Sequence, residues 1–188
     1  EDFGGAQYEG CNEHLVPTRP DVIERVHRSF LEAGADIVET DSFGSTPIVL
    51  AEYGLADKAR EISRVSAEIA RRAADAFSTP DHPRFVAGSI GPTTKTISVT
   101  GGVTWDELAA SFEEQALGLI EGGVDFLLIE TAQDTLNIKA ALEGIDRERA
   151  QVLAQVAPGV EVPVTAVVHE ALRRDLALGV LAGAAGVI

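Results

Sequence analysis

Apolar residues recur along much of the chain at spacings of three or four, which is typical of amphipathic helices. A first helix is predicted to begin near Thr18, as its N-cap, and to end at Gly34, because glycine can adopt the left-handed conformation that ends helices. Further helices are predicted from Leu55 to Phe77, behind the capping-box sequence that starts at Thr104, and near Asp134 to Glu143.

Short apolar runs separate these helices and predict buried parallel strands. The runs are Ala35–Thr40, Arg84–Ile90, Val124–Thr131 and Val162–Val168. The first and third runs are similar in sequence, since both pass from a helix end through glycine and an apolar run to Glu-Thr. This alternation predicts an α/β fold with a parallel sheet buried on both faces.

The echoed strand–helix unit favours a (β/α)₈ barrel of the TIM-barrel type over a doubly wound sheet. No G-x-G-x-x-G segment opens a helix after a strand, which argues against a dinucleotide-binding fold. A complete barrel has about eight strands and about 250 residues. The 188 residues therefore predict either an incomplete barrel of about four parallel βα units or a smaller α/β domain.

Composition narrows the classes of partner. The formal net charge of −15 argues against a nucleic-acid or anionic-membrane partner, because phosphate binding needs clustered Lys and Arg. The sequence has no apolar run of about 18 residues, so no membrane partner is expected. Its N-terminus has no signal-peptide pattern, and a single cysteine fits the reducing cytoplasm.

In a barrel, chemistry collects where strands end at their carboxyl side. Glu130, at the end of the most apolar strand, is a candidate to bind a substrate ammonium group or to act as a general base. It could equally cap the next helix or pair with Lys or Arg. Asp41 is either a site residue or a turn residue. Ser89 lies near the end of the second predicted strand and Gly91 follows it, where glycine forms a turn or lets a ligand approach the backbone.

The spacing of residues along the sequence indicates no set of catalytic residues and no metal site. Cys11 has no second cysteine or suitably spaced histidine beside it, so metal binding by this residue is not expected. The four histidines have no common ligand spacing.

Several segments, taken in order, resemble the N-terminal homocysteine-binding domain of cobalamin-dependent methionine synthases. The segments are Gly10–Leu15, Thr18–Ile23, Glu32–Thr40, Val86–Thr93, Leu127–Thr131 and Asp134–Asn137. Each segment alone is weak, but their order over about residues 1–168 is specific. We therefore predict a partial homocysteine-binding domain at 1–168 and a divergent Ala/Gly/Leu-rich tail at 169–188, where the resemblance ends.

The resemblance implies a (β/α)₈ barrel in which three cysteines bind zinc and the zinc holds homocysteine as a thiolate. The sulfur then takes a methyl group from methylcobalamin, which is bound by another module and recharged from methyltetrahydrofolate by a third. The substrate-gripping acid of the family corresponds to Glu130. The position of Asp41 usually carries asparagine, and an ionised aspartate can only accept hydrogen bonds.

The resemblance also implies parts that this sequence lacks. The family's first strand would precede Glu1 and its zinc-binding cysteines would follow Ile188. We therefore expect a homocysteine S-methyltransferase domain that is inactive as this fragment. The alternatives are a non-catalytic remnant that serves folding or interaction, and a related enzyme that uses betaine or S-methylmethionine as methyl donor.

Overall fold

The computed structural model describes residues 3–132, 134–155 and 164–168. Within them, parallel strands form a four-stranded sheet in the order β1-β2-β3-β4. The strands are β1 (Ile37–Glu39), β2 (Phe85–Ile90), β3 (Phe126–Ala132) and β4 (Val164–Val168). The α-helices are α1 (Leu15–Thr18), α2 (Pro20–Glu32), α3 (Pro47–Leu50), α4 (Ala59–Phe77), α5 (Trp105–Glu121) and α6 (Thr135–Gln155).

The predicted α/β class and parallel strands are confirmed, but some element ends are not. The last helix was expected to end near Glu143 and instead continues to Gln155. Short helical turns before and after β1, including α1 and α3, were not predicted because each is too short to show a period. None of the helices in the described ranges has the length and apolar character needed to cross a bilayer.

The expected N-cap of the first long helix is wrong. Thr18 is the last residue of α1, and its hydroxyl donates to the carbonyl of His14 at 2.7 Å instead of capping α2. Arg19 occupies the N-cap position of α2 without a side-chain capping bond, and Pro20 supplies the first turn as predicted. Gly34 does follow the helix end in the left-handed region, at φ 104°.

The capping box of α5 is confirmed. Thr104 Oγ1 accepts a hydrogen bond from the amide of Glu107 at 3.3 Å, and Glu107 Oε2 accepts one from the amide of Thr104 at 2.8 Å. These reciprocal bonds satisfy two amides that the helix start would otherwise leave unpaired. The start of α5 is therefore determined locally by the sequence.

One face of the sheet forms the main core with the long helices. Its strand residues alternate along each strand and pack against α2, α4, α5 and α6: Val38, Val86, Ile90, Leu127 and Ile129. On the opposite face, Ile37 and Phe85 remain 47% and 41% exposed. Ala87 and Ser89 lie on that same face and are buried, so within the described residues the expectation of burial on both faces holds for β2 beyond Phe85 and fails at the exposed strand starts.

The helices α4 and α5 pack closely because α5 presents glycine at the contact. A Cβ atom on Gly118 would lie 2.4 Å from the carbonyl oxygen of Arg60, and one on Gly122 would lie 2.4 Å from that of Arg64. Gly118 of α5 and Gly122, the residue that follows the helix, thus meet two carbonyls four positions apart on α4. This contact sets the distance between the helices that support β2 and β3.

We predict that Gly118→Ala lowers the free energy of unfolding by about 1–3 kcal/mol, because the methyl group overpacks the helix contact. In a solvent-exposed helix the same change would add about 1 kcal/mol of stability. Urea denaturation checks the sign. The control is Glu114→Ala at an exposed position of α5, expected to stay within about 0.5 kcal/mol. A Gly118→Ala variant as stable as the parent would contradict the packing argument.

Candidate functional site

The carboxyl ends of β1, β2 and β3 meet at one edge of the sheet and bring Ser89 and Glu130 together. Ile90 of β2 pairs with Ile129 of β3, so Glu130 lies one position beyond the last paired residues. The Ser89 hydroxyl donates to Glu130 Oε1 at 2.5 Å, and Ser89 itself is 2% exposed. A buried donor therefore orients a half-buried carboxylate at the strand ends.

The backbone beside Glu130 is strained. Thr131 has φ 54°, a left-handed conformation that is unfavourable for a β-branched residue. The pairing of β3 with β4 also shifts register between Ile129 and Ala132. Such distortion is concentrated at binding and catalytic sites in proteins. This irregularity of β3 lies beside Glu130, which the sequence offered as a candidate substrate-binding acid.

A second carboxylate approaches the same place from β1. Burial raises the pKa of Glu39, and the negative charge of Glu130 raises it further. A carboxylate whose pKa is raised by the negative charge of a neighbouring carboxylate is stabilised when a cation binds beside it. An ammonium group is the kind of ligand that this arrangement attracts.

Asp41 lies in the loop after β1 and is half-buried. Its Oδ2 atom is buried and has no hydrogen-bond partner within the described part of the chain. Burial, and then the negative charge of Glu13, raise the pKa of Asp41 from 3.8 to about 7. Glu13 is itself buried and accepts a hydrogen bond from the amide of Gly44 at 2.6 Å. Asp41 in the loop after β1 and Glu13, which binds the same loop through Gly44, thus bring two acids close together.

Gly91 lies against the loop that follows β1. Its amide donates to the carbonyl of Phe43 at 3.0 Å, and a Cβ atom on Gly91 would lie 2.7 Å from the Phe43 ring and carbonyl. A side chain here would push the two loops apart. The structure therefore explains the glycine by packing, and a direct role for Gly91 in binding a ligand stays a prediction.

A buried polar network behind the strand ends was missed at the level of sequence. It links the ends of β1 and β2 to α5 through Thr40, Ser42, Ser45, Ser89 and Gln115. One signal was available, because Gln115 falls on the apolar face of α5 between Phe112 and Leu119. A polar residue at a core position needs a hydrogen-bond partner.

The surroundings of Cys11 do not favour metal binding. The side chain is 1% exposed, and its thiol donates a weak hydrogen bond to Glu13 Oε2 at 3.8 Å. Burial raises the pKa of Cys11 to about 11, and the charge of Glu13 contributes to that rise. No group of three or more His, Cys, Asp or Glu side chains in the described ranges is arranged to hold a metal ion.

Comparison with known families decides what kind of chain carries this site. The sequence model of the family described as homocysteine S-methyltransferase matches residues 2–185. The chain belongs to the homocysteine S-methyltransferase family. The match extends into 169–188, which lies outside the described residues, so the division of the domain at 168 stays a prediction.

Curated relatives of this homocysteine S-methyltransferase chain include two methionine synthases. That of Mycobacterium tuberculosis is 43% identical over 185 residues, which cover 98% of this chain and 15% of the relative. That of Mycobacterium leprae is 48% identical over 151 residues, which cover 80% of this chain and 12% of the relative. The chain thus spans about one seventh of the length of these relatives.

Solved structures of the homocysteine methyltransferase MmuM from Escherichia coli resemble the homocysteine S-methyltransferase chain in fold. The metallated form superposes with a TM-score of 0.62 at 26% identity and covers 72% of this chain and 50% of MmuM. The oxidised form gives 0.64 at 24% identity, with 90% and 60% covered. The parallel sheet with its helices is therefore the arrangement found in a homocysteine methyltransferase.

We predict that Asp41→Asn stabilises this family member above neutral pH and has little effect in acid. The folded-state pKa of Asp41, about 7, exceeds its unfolded value of 3.8, so its contribution to stability is complete below pH 3.8 and is lost as the pH rises to 7. Asparagine does not titrate. Since the rise from 3.8 to about 7 spans about three pKa units and one unit corresponds to about 1.4 kcal/mol, the difference should reach on the order of 4 kcal/mol above pH 7.

Urea denaturation of both proteins between pH 4 and pH 8.5 measures this difference. The control is Asp81→Asn, an exposed aspartate in the turn before β2. Stability curves of the parent and Asp41→Asn that stay parallel across this range would show that Asp41 is ionised without cost.

Proposed function

We propose that this chain is the part of a methionine synthase's homocysteine S-methyltransferase domain that binds the amino group of homocysteine. In the whole enzyme, the homocysteine sulfur would accept a methyl group from methylcobalamin, which methyltetrahydrofolate recharges. The observation that carries this proposal is the hydrogen bond from buried Ser89 to Glu130 at the carboxyl ends of parallel strands. Identities of 43% and 48% to methionine synthases support the cobalamin-dependent reaction.

Glu130 would bind the substrate ammonium group through charge and geometry together. One of its oxygens is already held by Ser89, which limits the rotation of the carboxylate. The other oxygen lies 3.4 Å from the Thr131 hydroxyl, too long for a strong bond, and would accept a hydrogen bond from the ligand. The nearby carboxylate of Glu39 would add to the attraction.

We further propose that the sheet is part of a (β/α)₈ barrel. Strands adjacent in sequence are adjacent in the sheet, whereas a doubly wound sheet reverses its order partway. The core-forming helices among the described residues pack on one face, as they do on the outside of a barrel. The face with Ile37, Phe85 and Glu130 would then point into the barrel.

Zinc bound by three thiolates, as the resemblance implies, does not fit the residues of this chain. The 188 residues contain one cysteine, and a pKa of about 11 keeps Cys11 a thiol at neutral pH. Metal binding needs the thiolate. The chemistry left to this chain's own side chains is the binding and orientation of the amino acid. Activation of its sulfur would require groups supplied by other parts of the enzyme.

Cobalamin- and folate-binding modules are the proposed partners, since each relative is several times longer than this chain. We propose the cytoplasm as its location, because a chain with one cysteine needs no oxidising compartment to form internal disulfides.

We predict that the chain binds L-homocysteine and that Glu130→Gln weakens binding roughly 10- to 100-fold, because a hydrogen bond to a charged group contributes about 1.5–3 kcal/mol. Isothermal titration calorimetry measures the dissociation constants. Glutamine keeps the shape of the side chain and removes the charge. A homocysteine analogue without the amino group, 4-mercaptobutyrate, should bind parent and variant equally.

The matched control for this experiment is Glu114→Gln, which removes the same charge from an exposed position on α5. No detectable binding to the parent chain, or equal affinities for parent and Glu130→Gln, would refute the proposed role of the site.

A further prediction concerns the zinc content of the purified chain. The purified chain should retain much less than one zinc ion per molecule after dialysis, as measured by plasma mass spectrometry, and Cys11→Ser should not change that amount. One tightly bound zinc that disappears in Cys11→Ser would show that the Cys11 thiol does bind the metal.

A further inference from the structure

Gln115 is a fully buried amide in the core face of α5. Its side chain is 0% exposed, and its Nε2 atom donates to the carbonyls of Ser42 and Ser89 at 2.6 and 3.3 Å and to Ser45 Oγ at 3.2 Å. Burying an amide among apolar side chains costs free energy unless it is hydrogen-bonded. These hydrogen bonds go to the loop after β1 and to the end of β2, where the candidate site begins.

One of the two carbonyls that Gln115 contacts, that of Ser89, is left without a strand partner where β1 ends. The amide of Thr40 still donates to the carbonyl of Ala87 at 3.0 Å, in the pattern of the parallel ladder. The next carbonyl of β2 that faces β1 is that of Ser89. It has no strand partner there, because the chain after Thr40 forms a loop. The Ser42 hydroxyl, at 2.8 Å, and Gln115 replace the missing strand amide.

These bonds fix Ser89 on several sides. Its amide donates to Thr40 Oγ1 at 3.0 Å, and Thr40 Oγ1 lies 2.6 Å from Ser42 Oγ. With the backbone of Ser89 held from β1 and from α5, its hydroxyl has little freedom apart from rotation. That hydroxyl donates to Glu130 at 2.5 Å. Hydrogen bonds thus connect the side-chain amide of Gln115 to the backbone of Ser89, and the hydroxyl of Ser89 to the Glu130 carboxylate.

We propose that Gln115 is a positioning residue, which sets the place of the Ser89 hydroxyl and through it the orientation of the Glu130 carboxylate toward the substrate ammonium group. The proposal rests on the proposed function of Glu130 and extends it to a residue that touches no substrate. Its physical basis is that an amide with two N–H bonds can hold the ends of two strands at once. An apolar side chain of the same length fills the space but binds neither strand end.

The substitution that isolates this role is Gln115→Met. Methionine has a similar length, favours helices and has no donor. The control is Ser111→Ala, one turn earlier on α5. Ser111 is also buried, and its hydroxyl accepts a hydrogen bond from the amide of Ile48 at 3.1 Å, away from Ser89. Both changes remove one buried polar group from the same helix.

The experiment compares the parent, Gln115→Met and Ser111→Ala chains by three measurements. Calorimetry gives the dissociation constant for L-homocysteine, NMR gives the carboxyl carbon shift of Glu130 and the hydrogen-exchange rate of the Ser89 amide, and urea denaturation gives stability. We expect Gln115→Met to weaken binding roughly 3- to 10-fold, the effect of one net hydrogen bond. It should also shift the Glu130 signal and speed Ser89 exchange, and Ser111→Ala should do none of these.

A merely structural role for Gln115 would lower stability in both variants and leave the affinity, the Glu130 signal and the relative exchange of Ser89 unchanged. That result overturns the proposal. If the parent chain fails to bind homocysteine, the proposed function fails, and the two NMR readouts in the ligand-free protein still decide the role of Gln115. Signals that move in Gln115→Met alone sustain positioning, and signals that do not move refute it.

Discussion

The parallel register of β1, β2 and β3 is the constraint on which the candidate site depends. It brings the ends of three strands, far apart in sequence, to one edge of the sheet, with Glu39, Ser89 and Glu130 on the same side. The register follows from burial, because a slip of one residue would turn the apolar residues of the core face away from the helices. The same register therefore determines both the packing of the core face and the placement of the carboxylates.

Polar groups at the strand ends show how the fold ends a ladder without leaving buried carbonyls unpaired. Where β1 stops, side chains of Thr40, Ser42 and Gln115 take over the hydrogen bonds that a longer strand would have made. The carboxylates of Asp41 and Glu39 are treated differently, since burial and a neighbouring acid oppose the ionisation of each. This concentration of negative potential suits a cationic group of a ligand and makes the site electrostatically costly without one.

Much of the fold was predictable because its signals are local. Neighbouring residues alone are enough to predict the capping box at Thr104, the helix from Ala59 and the apolar run of β3. The N-cap assigned to Thr18 was wrong because a separate helical turn precedes Pro20, and four residues carry too little pattern to reveal it. The length of α6 was underestimated for a related reason, since its polar second half lacks a clear apolar stripe.

The sequence by itself determined the α/β class, the order of strands and helices, the single cysteine and the motifs that point to Glu130 and Asp41. Only the tertiary structure decided that Ser89 donates to Glu130, that Thr131 is strained, that Gly91 is needed for the approach of Phe43, and that Gln115 joins two strand ends. The physical reason is distance along the chain. Periodicity and capping act over a few residues, whereas a hydrogen bond between residues 41 positions apart exists only after the strands have paired.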